Sequence, residues 1–136
     1  MDTPPPSLHL PPISPAAATS LYEQIVEGIK RDIGTGRLPA HTPLPSFRAL
    51  AEQLLVSLIT VKRAYEELER EGIIYRKQGL GTFVAEDGIA QSRAAKQAQT
   101  ERLLRQALDE GIEAGLRPEA LLEIARKILK EKENEG

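Results

Sequence analysis

The sequence predicts a mainly helical fold with a small β wing, and three stretches carry the prediction. Leu44-Pro45-Ser46-Phe47-Arg48-Ala49-Leu50-Ala51 reads as a short amphipathic helix entered from a proline-bearing loop. Val56-Ser57 then interrupts the pattern before Val61, Ala64, Tyr65 and Leu68, which recur at i, i+3, i+4 and i+7 and define the buried stripe of another helix. Gln78-Gly79-Leu80-Gly81-Thr82-Phe83-Val84 closes the unit as a glycine-tipped hairpin. Two short helices meeting at a tight turn beside a hairpin form a winged helix-turn-helix, a unit that holds one helix in the major groove of DNA. A short two-helix C-terminal region follows it.

Each element has a local reason. Residues 1–18 are rich in Pro and Ala, including Pro4-Pro5-Pro6, and proline removes donors and fixes φ, so this stretch reads as an extended or disordered arm. Within it, Leu8-His9-Leu10 is the one alternation able to dock as an edge strand. Ser20-Leu21-Tyr22-Glu23 fits a capping box that starts the first helix. Leu21, Tyr22, Ile25, Ile29 and Ile33 give that helix an apolar stripe, and Gly34 and Gly36 end it. A loop with Pro39, Pro43 and Pro45 leads to the second helix, whose Phe47, Leu50, Ala51 and Leu54 face inward. Ser57 is the expected N-cap of the third helix, which runs to about Glu71 and stops at Gly72. Ile73, Ile74 and Tyr75 begin a strand, Lys77 to Gly81 turn it, and Thr82, Phe83 and Val84 return. After a linker near Glu86-Asp87-Gly88, a helical pattern spans Gln91 to Ala114, and a last one begins at Pro118, a favoured first-turn position. The expected division is an arm over 1–18, a winged helix-turn-helix over 19–86 and a helical dimerisation tail over 87–136.

Composition narrows the function classes. The 136 residues leave room for one domain and a small appendage, and with two Phe, three Tyr and no Trp the core must be aliphatic. Without cysteine, neither disulfides nor thiolate zinc ligation is available. No apolar run approaches a membrane span and the N-terminus lacks a signal-peptide pattern, which points to a cytoplasmic protein with no membrane partner. His9 and His41 are far apart in sequence, no nucleophile stands beside a base, and Glu66 and Glu67 occupy different azimuths of one helix. No catalytic residue, metal site or cofactor is therefore expected. The net charge of −2 gives no overall attraction to nucleic acid, and residues 20–86 balance nine Lys/Arg against nine Asp/Glu. Distribution matters more than the sum. Arg48, Lys62, Arg63, Arg76 and Lys77 fall on the helices and hairpin expected to face a duplex, whereas Glu66, Glu67, Glu69 and Glu71 gather toward the far end of the third helix.

Opposite the Val61–Leu68 stripe, the first turns of the third helix present Ile59, Thr60, Lys62 and Arg63. Arg63 and Lys62 suit guanine O6/N7 or phosphate, Thr60 a phosphate or a base, and an exposed Ile59 a thymine methyl. Ser57 caps this helix, whose free N–H groups favour a phosphate. Arg48, off the apolar stripe of the second helix, is placed for a backbone contact. In the hairpin, Gly79 and Gly81 satisfy the turn, and Arg76, Lys77 and Gln78 flank a possible groove contact; the spacing lacks the Gly-Lys-Ser/Thr element of a phosphate loop.

The Leu-Pro-Ser-x-Arg-x-Leu-Ala block (44–51), the Val-Ser-x-x-Thr-Val block (56–61), the Ala64-Tyr65-x-x-Leu68-x-x-Glu71-Gly72 run and the Gln-Gly-x-Gly-Thr-Phe-Val end (78–84) occur in order. Together they resemble the DNA-binding domain of the GntR family of bacterial transcription regulators, from about Ser20 to Ala85. The short helical tail resembles that of the YtrA subfamily, where it mainly dimerises. The resemblance implies that Ser46, Arg48, Ser57, Leu58, Ile59, Thr60, Lys62, Arg63, Arg76, Lys77, Gln78, Gly79 and Gly81 form the DNA-contacting set, with the Gln78-Gly79 tip at the minor groove. Three positions depart from the family, and at one of them Ile59 stands where a small polar residue is common. Leu58 stands where many members carry Arg, which shifts base readout toward Arg63 or Lys62. Leu55 stands where Gly is usual, which implies a different turn conformation, since a non-Gly residue disfavours positive φ.

A single winged helix buries little surface, so a dimer reading two half-sites is expected, with Leu104, Leu108, Ile112, Leu121, Leu122, Ile128 and Leu129 forming its interface. The function these readings converge on is a homodimeric, sequence-specific transcription regulator, a repressor, bound to an inverted-repeat operator in double-stranded DNA. A tail this short offers little room for a small-molecule effector, whose identity the sequence does not give, and the dimer interface is one place where a pocket could form. The competing reading is a winged-helix protein–protein interaction module without DNA binding.

Overall fold

Ser20 starts the first helix as its sequence context demands: its hydroxyl accepts the Glu23 backbone N–H at 3.3 Å, and α1 (Leu21–Gly34) follows. The computed structural model describes residues 7–16 and 19–136, so the Pro4-Pro5-Pro6 run lies outside the described residues. Ile25, Ile29 and Ile33 are fully buried, while Leu21 and Tyr22 at the start of the stripe are only partly covered. Thr35 caps α1 and Gly36 turns the chain away at φ 84°.

Residues 7–14 form no strand. Leu8 is buried in the core, the His9 N–H donates to Asp32 Oδ2 at 2.8 Å, and Leu10 lies close against Gly28 of α1. Ser14 and the Gln24 side chain exchange two hydrogen bonds. The Leu8-His9-Leu10 segment thus docks as the alternation allowed, but through side chains on the core rather than as an edge strand, and this part of the arm is not disordered.

The proline loop contains a strand that the sequence reading leaves as loop: β1 (Pro43–Leu44). It adds to the hairpin of β2 (Ile74–Lys77) and β3 (Gly81–Val84), giving an antiparallel sheet of order β1-β3-β2. Pro43 faces Phe83 and Leu44 faces Thr82 across the ladder. Two residues are too few to show alternation, and a proline is tolerated because β1 is an edge.

α2 (Phe47–Leu54) and α3 (Leu58–Arg70) are capped by Ser46 and Ser57, whose hydroxyls accept the Ala49 and Thr60 N–H groups, each at 3.1 Å. Val61, Ala64, Tyr65 and Leu68 are the buried residues of α3, the stripe expected from spacing. α1 and α2 both pack on α3. The Tyr65 hydroxyl donates to the Pro45 carbonyl at 2.8 Å, and burial pushes its phenol far above the ordinary value, so it remains a neutral donor. Phe47 meets the Tyr65 ring edge-on at 5.2 Å.

The turn between α2 and α3 corrects one expectation. Leu55 does not alter the turn; it adopts the left-handed conformation itself, at φ 58° and ψ 44°, and its N–H and that of Val56 both donate to the Ala51 carbonyl. Left-handed backbone costs a non-glycine residue about 1–2 kcal/mol. The buried Leu50, Ala51 and Val61 on either side fix the path of the chain, and Leu55 bears the strain with its side chain in solvent.

α4 (Gly88–Glu113) begins earlier than the apolar pattern indicated, at the glycine expected to lie in a linker. A Cβ on Gly88 would sit 2.8 Å from Val84 Cγ1 and 2.9 Å from the Ile73 carbonyl, so glycine lets the helix start directly against the sheet. The first turns of α4 then bind α1: Ser92 is buried and its hydroxyl donates to the Lys30 carbonyl, Arg93 donates to the Gly34 carbonyl at 2.9 Å, and Lys96 pairs with Glu27. The N-terminal compact unit accordingly extends through Lys96, and the second unit comprises residues 97–136. In that second unit, α5 (Pro118–Glu135) packs its Leu121 on Gly111, where a Cβ would come within 2.5 Å of Leu121 Cδ2. Gly115, at φ 89°, makes the intervening turn.

Candidate nucleic-acid interface

The N-terminal edge of α3 is outward-facing. At 3.6 residues per turn, Ile59 lies diametrically opposite the Val61–Leu68 stripe, and it is 78% exposed above residues that are at most 1% exposed. Lys62 and Arg63 follow on the next turn and are exposed, with Thr60 partly covered. Leu58, at the first position of α3, is 45% exposed.

Ser46 and Ser57 stand at the starts of α2 and α3, and both hydroxyls are engaged as caps. Ser57 Oγ also lies 2.7 Å from Thr60 Oγ1. Any anion held at these helix starts would therefore meet backbone N–H groups first, with the positive end of each helix behind them.

The five cations divide into two groups. The Arg63 guanidinium lies over the Tyr22 ring of α1, 3.7 Å from its centroid, and that of Arg76 lies over Phe47 of α2 at 4.7 Å. Arg48, Lys62 and Lys77 are exposed and form no salt bridge or ring contact among the described residues. The two rings were not identified as part of this surface from sequence, because Tyr22 and Arg63 are on separate helices and no local spacing links them.

The acidic residues of α3 are arranged more variously than their sequence order implied. Glu67 pairs with Arg70, which holds the Glu67 carboxyl below its ordinary value. Glu71 turns inward to pair with Lys30 at 2.9 Å. Glu66 remains exposed and, seven residues after Ile59, shares its face of the helix two turns further along. It marks the end of the cationic surface.

The hairpin supplies the other wall. The Leu80 N–H donates to the Lys77 carbonyl at 2.9 Å, and Gly79 and Gly81 take φ 77° and 117°, conformations that a side chain would strain. A groove runs between this tip and the start of α2, lined by Ser46, Phe47, Arg76, Gln78 and Gly81. His41 lies apart from it, its Nδ1 2.8 Å from the Tyr75 hydroxyl and its Nε2 3.3 Å from Glu86. Among the described residues there is no group of three or more His, Cys, Asp or Glu that could hold a metal ion, and no helix is long and apolar enough to cross a membrane.

The residues expected to mediate dimerisation all lie in the second unit. Leu104, Leu108, Ile112, Leu122, Ile128 and Leu129 are between 38% and 63% exposed, and Leu121 is partly covered by Gly111. Leu103, Leu116 and Ile124 are similarly exposed and were not singled out from sequence, Leu103 and Ile124 because they fall beside the strict stripe and Leu116 because it lies in the turn between α4 and α5.

Comparison with known proteins agrees with this geometry. Residues 21–84 match the family described as bacterial regulatory proteins, gntR family. Over 116 residues the chain is 34% identical to the HTH-type transcriptional repressor YtrA of Bacillus subtilis (strain 168), spanning 85% of this chain and 89% of that protein. Its fold is similar to that of a GntR family transcriptional regulator from Listeria monocytogenes, with a TM-score of 0.69, 32% identity, and coverage of 81% of this chain and 96% of the other. It is also similar to AraR(DBD) in complex with operator ORE1, with a TM-score of 0.50, 32% identity, and coverage of 57% and 100% of the two chains. The five helices and small three-stranded sheet found among the described residues match the winged-helix architecture of these regulators. The chain belongs to the gntR family of bacterial regulatory proteins, within its YtrA subfamily.

Proposed function

We propose that this chain is a sequence-specific transcription repressor that binds an inverted-repeat operator as a homodimer, residues 19–86 contacting DNA and residues 87–136 joining the two copies. One observation carries the DNA-binding reading: the Ile59–Arg63 edge of α3 is open to solvent while the stripe behind it anchors the helix. Arg48, Lys62 and Lys77, exposed on the elements around it, supply charge for phosphates. A protein-docking role would leave that arrangement of cations without a purpose.

The dimer reading is supported by aliphatic side chains that a lone copy leaves in water. Pairing of two tails would cover them and set two α3 helices about one helical turn of DNA (~34–36 Å) apart, or a multiple of it. With some four cations on phosphates per subunit, affinity falls about 10³–10⁵-fold between roughly 50 and 200 mM salt. The relatives in the family are regulators, and the reading is of a non-enzyme working in the cytoplasm. Electrophoretic mobility shift of the chain's own promoter, titrated with salt, tests the proposal. A discrete complex with a steep salt slope supports it, and absence of any sequence preference refutes it.

A further inference from the structure

Leu55, Leu58 and Ile59 are 91%, 45% and 78% exposed, three large aliphatic side chains within five positions of chain. Folding accounts for none of this exposure. Leu55 is even held in left-handed backbone, where glycine would fit without strain. Water-exposed aliphatic surface is unfavourable in proportion to its area, so a gathering of it is a candidate contact surface. Here its position limits the partner: it lies at the start of α3, on the helix whose outer face is open, and Arg48 and Glu52 of α2 both border the shallow depression beside Leu55 and Leu58. Lys62 stands one turn beyond Leu58.

An aliphatic patch at the exposed start of α3, with Arg48 and Lys62 within reach of phosphates on either side, matches one feature of the major groove. Thymine alone among the unmodified bases presents a methyl group there, at C5, with phosphates on both sides. Positions 58 and 59 offer no hydrogen-bond donor for guanine or adenine, and Arg63, the alternative reader, rests on the Tyr22 ring. Resting on the reading of this chain as a DNA-binding regulator, we propose that it is a methyl reader: Ile59 and Leu58, with Leu55 at the rim, select operator positions by packing on a C5-methyl pyrimidine edge, which is thymine in unmodified DNA. Specificity at these positions is then apolar rather than bidentate.

The test begins with selection of a preferred site by the full chain from randomised duplex DNA. That site is resynthesised with each thymine in turn replaced by deoxyuridine, which deletes the methyl and leaves pairing and O4 intact. The expected result is a loss of about fourfold in affinity per contacted methyl, the effect of uncovering one such group, at one or two positions in each half-site. Placing 5-methylcytosine at a cytosine on the same step distinguishes the methyl from the base that bears it, and restores part of the loss. Ile59→Ala protein, folded normally because the side chain is in solvent, no longer distinguishes thymine from deoxyuridine at the position that Ile59 covers. If a site is selected yet every deoxyuridine version binds as tightly as the parent, the methyl reading falls while the regulator reading stands. If no sequence is enriched at all, both fall, and the patch belongs to a protein partner.

Discussion

Ile25, Ile29, Ile33, Leu50, Val61 and Leu68 of the first unit have no exposed surface, whereas Leu104, Ile112, Leu122 and Leu129 of the second are 54%, 59%, 58% and 63% exposed. Both regions place Leu and Ile side chains along their helices. The first set lies among α1, α2, α3 and the three-stranded sheet, while α4 and α5 offer each other only one side. Periodicity thus identifies which face of a helix is apolar, but the number of elements around it decides whether that face is finished within one chain. The first unit is complete in itself; the proposed partner of the second is another copy.

The contrast can be broken at its strongest point first. Leu68→Ala, deep between α1 and α3, should cost about 2–5 kcal/mol in the first unit, measured by chemical denaturation. Leu108→Lys combined with Leu122→Lys should leave the unfolding of that unit unchanged and halve the mass in sedimentation; an unaltered dimer mass would remove the tail from the interface. Between these regions, Gly88→Ala tests how tightly α4 is started. Its new methyl meets a backbone carbonyl that cannot rotate away, so a loss of about 1–3 kcal/mol is expected. The smallest effect is at the helix-turn-helix corner. Leu55→Gly relieves left-handed strain but adds freedom to the unfolded chain, so a net gain of about 0.5–1 kcal/mol should appear as a raised denaturation midpoint. A lowered midpoint would mean that Leu55 stabilises the fold through contacts rather than straining it.

Most of the first unit was legible because its information is local. Ser20, Ser46 and Ser57 cap the helices they precede, and the α3 stripe follows from spacing alone. What escaped was information set by distant residues. β1 exists only because β3 is beside it, and Leu8 is buried only because α1 passes beneath. The Leu55 turn was misjudged for a related reason: intrinsic preference opposed the left-handed conformation, and packing on both sides overrode it. For the candidate site, the Ile59–Arg63 edge was legible from helix geometry, but the rings beneath Arg63 and Arg76 were not.

Those rings have a consequence for how binding energy is spent. A free arginine loses much of its rotamer entropy when it meets a phosphate or base. Arg63 and Arg76, stacked on Tyr22 and Phe47, have surrendered part of that freedom during folding, before any duplex arrives. In the proposed complex, phosphate contacts by Arg63 and Arg76 would carry a smaller ordering penalty than those of Arg48 or Lys62, making the aromatic residues silent partners in affinity although neither need touch DNA.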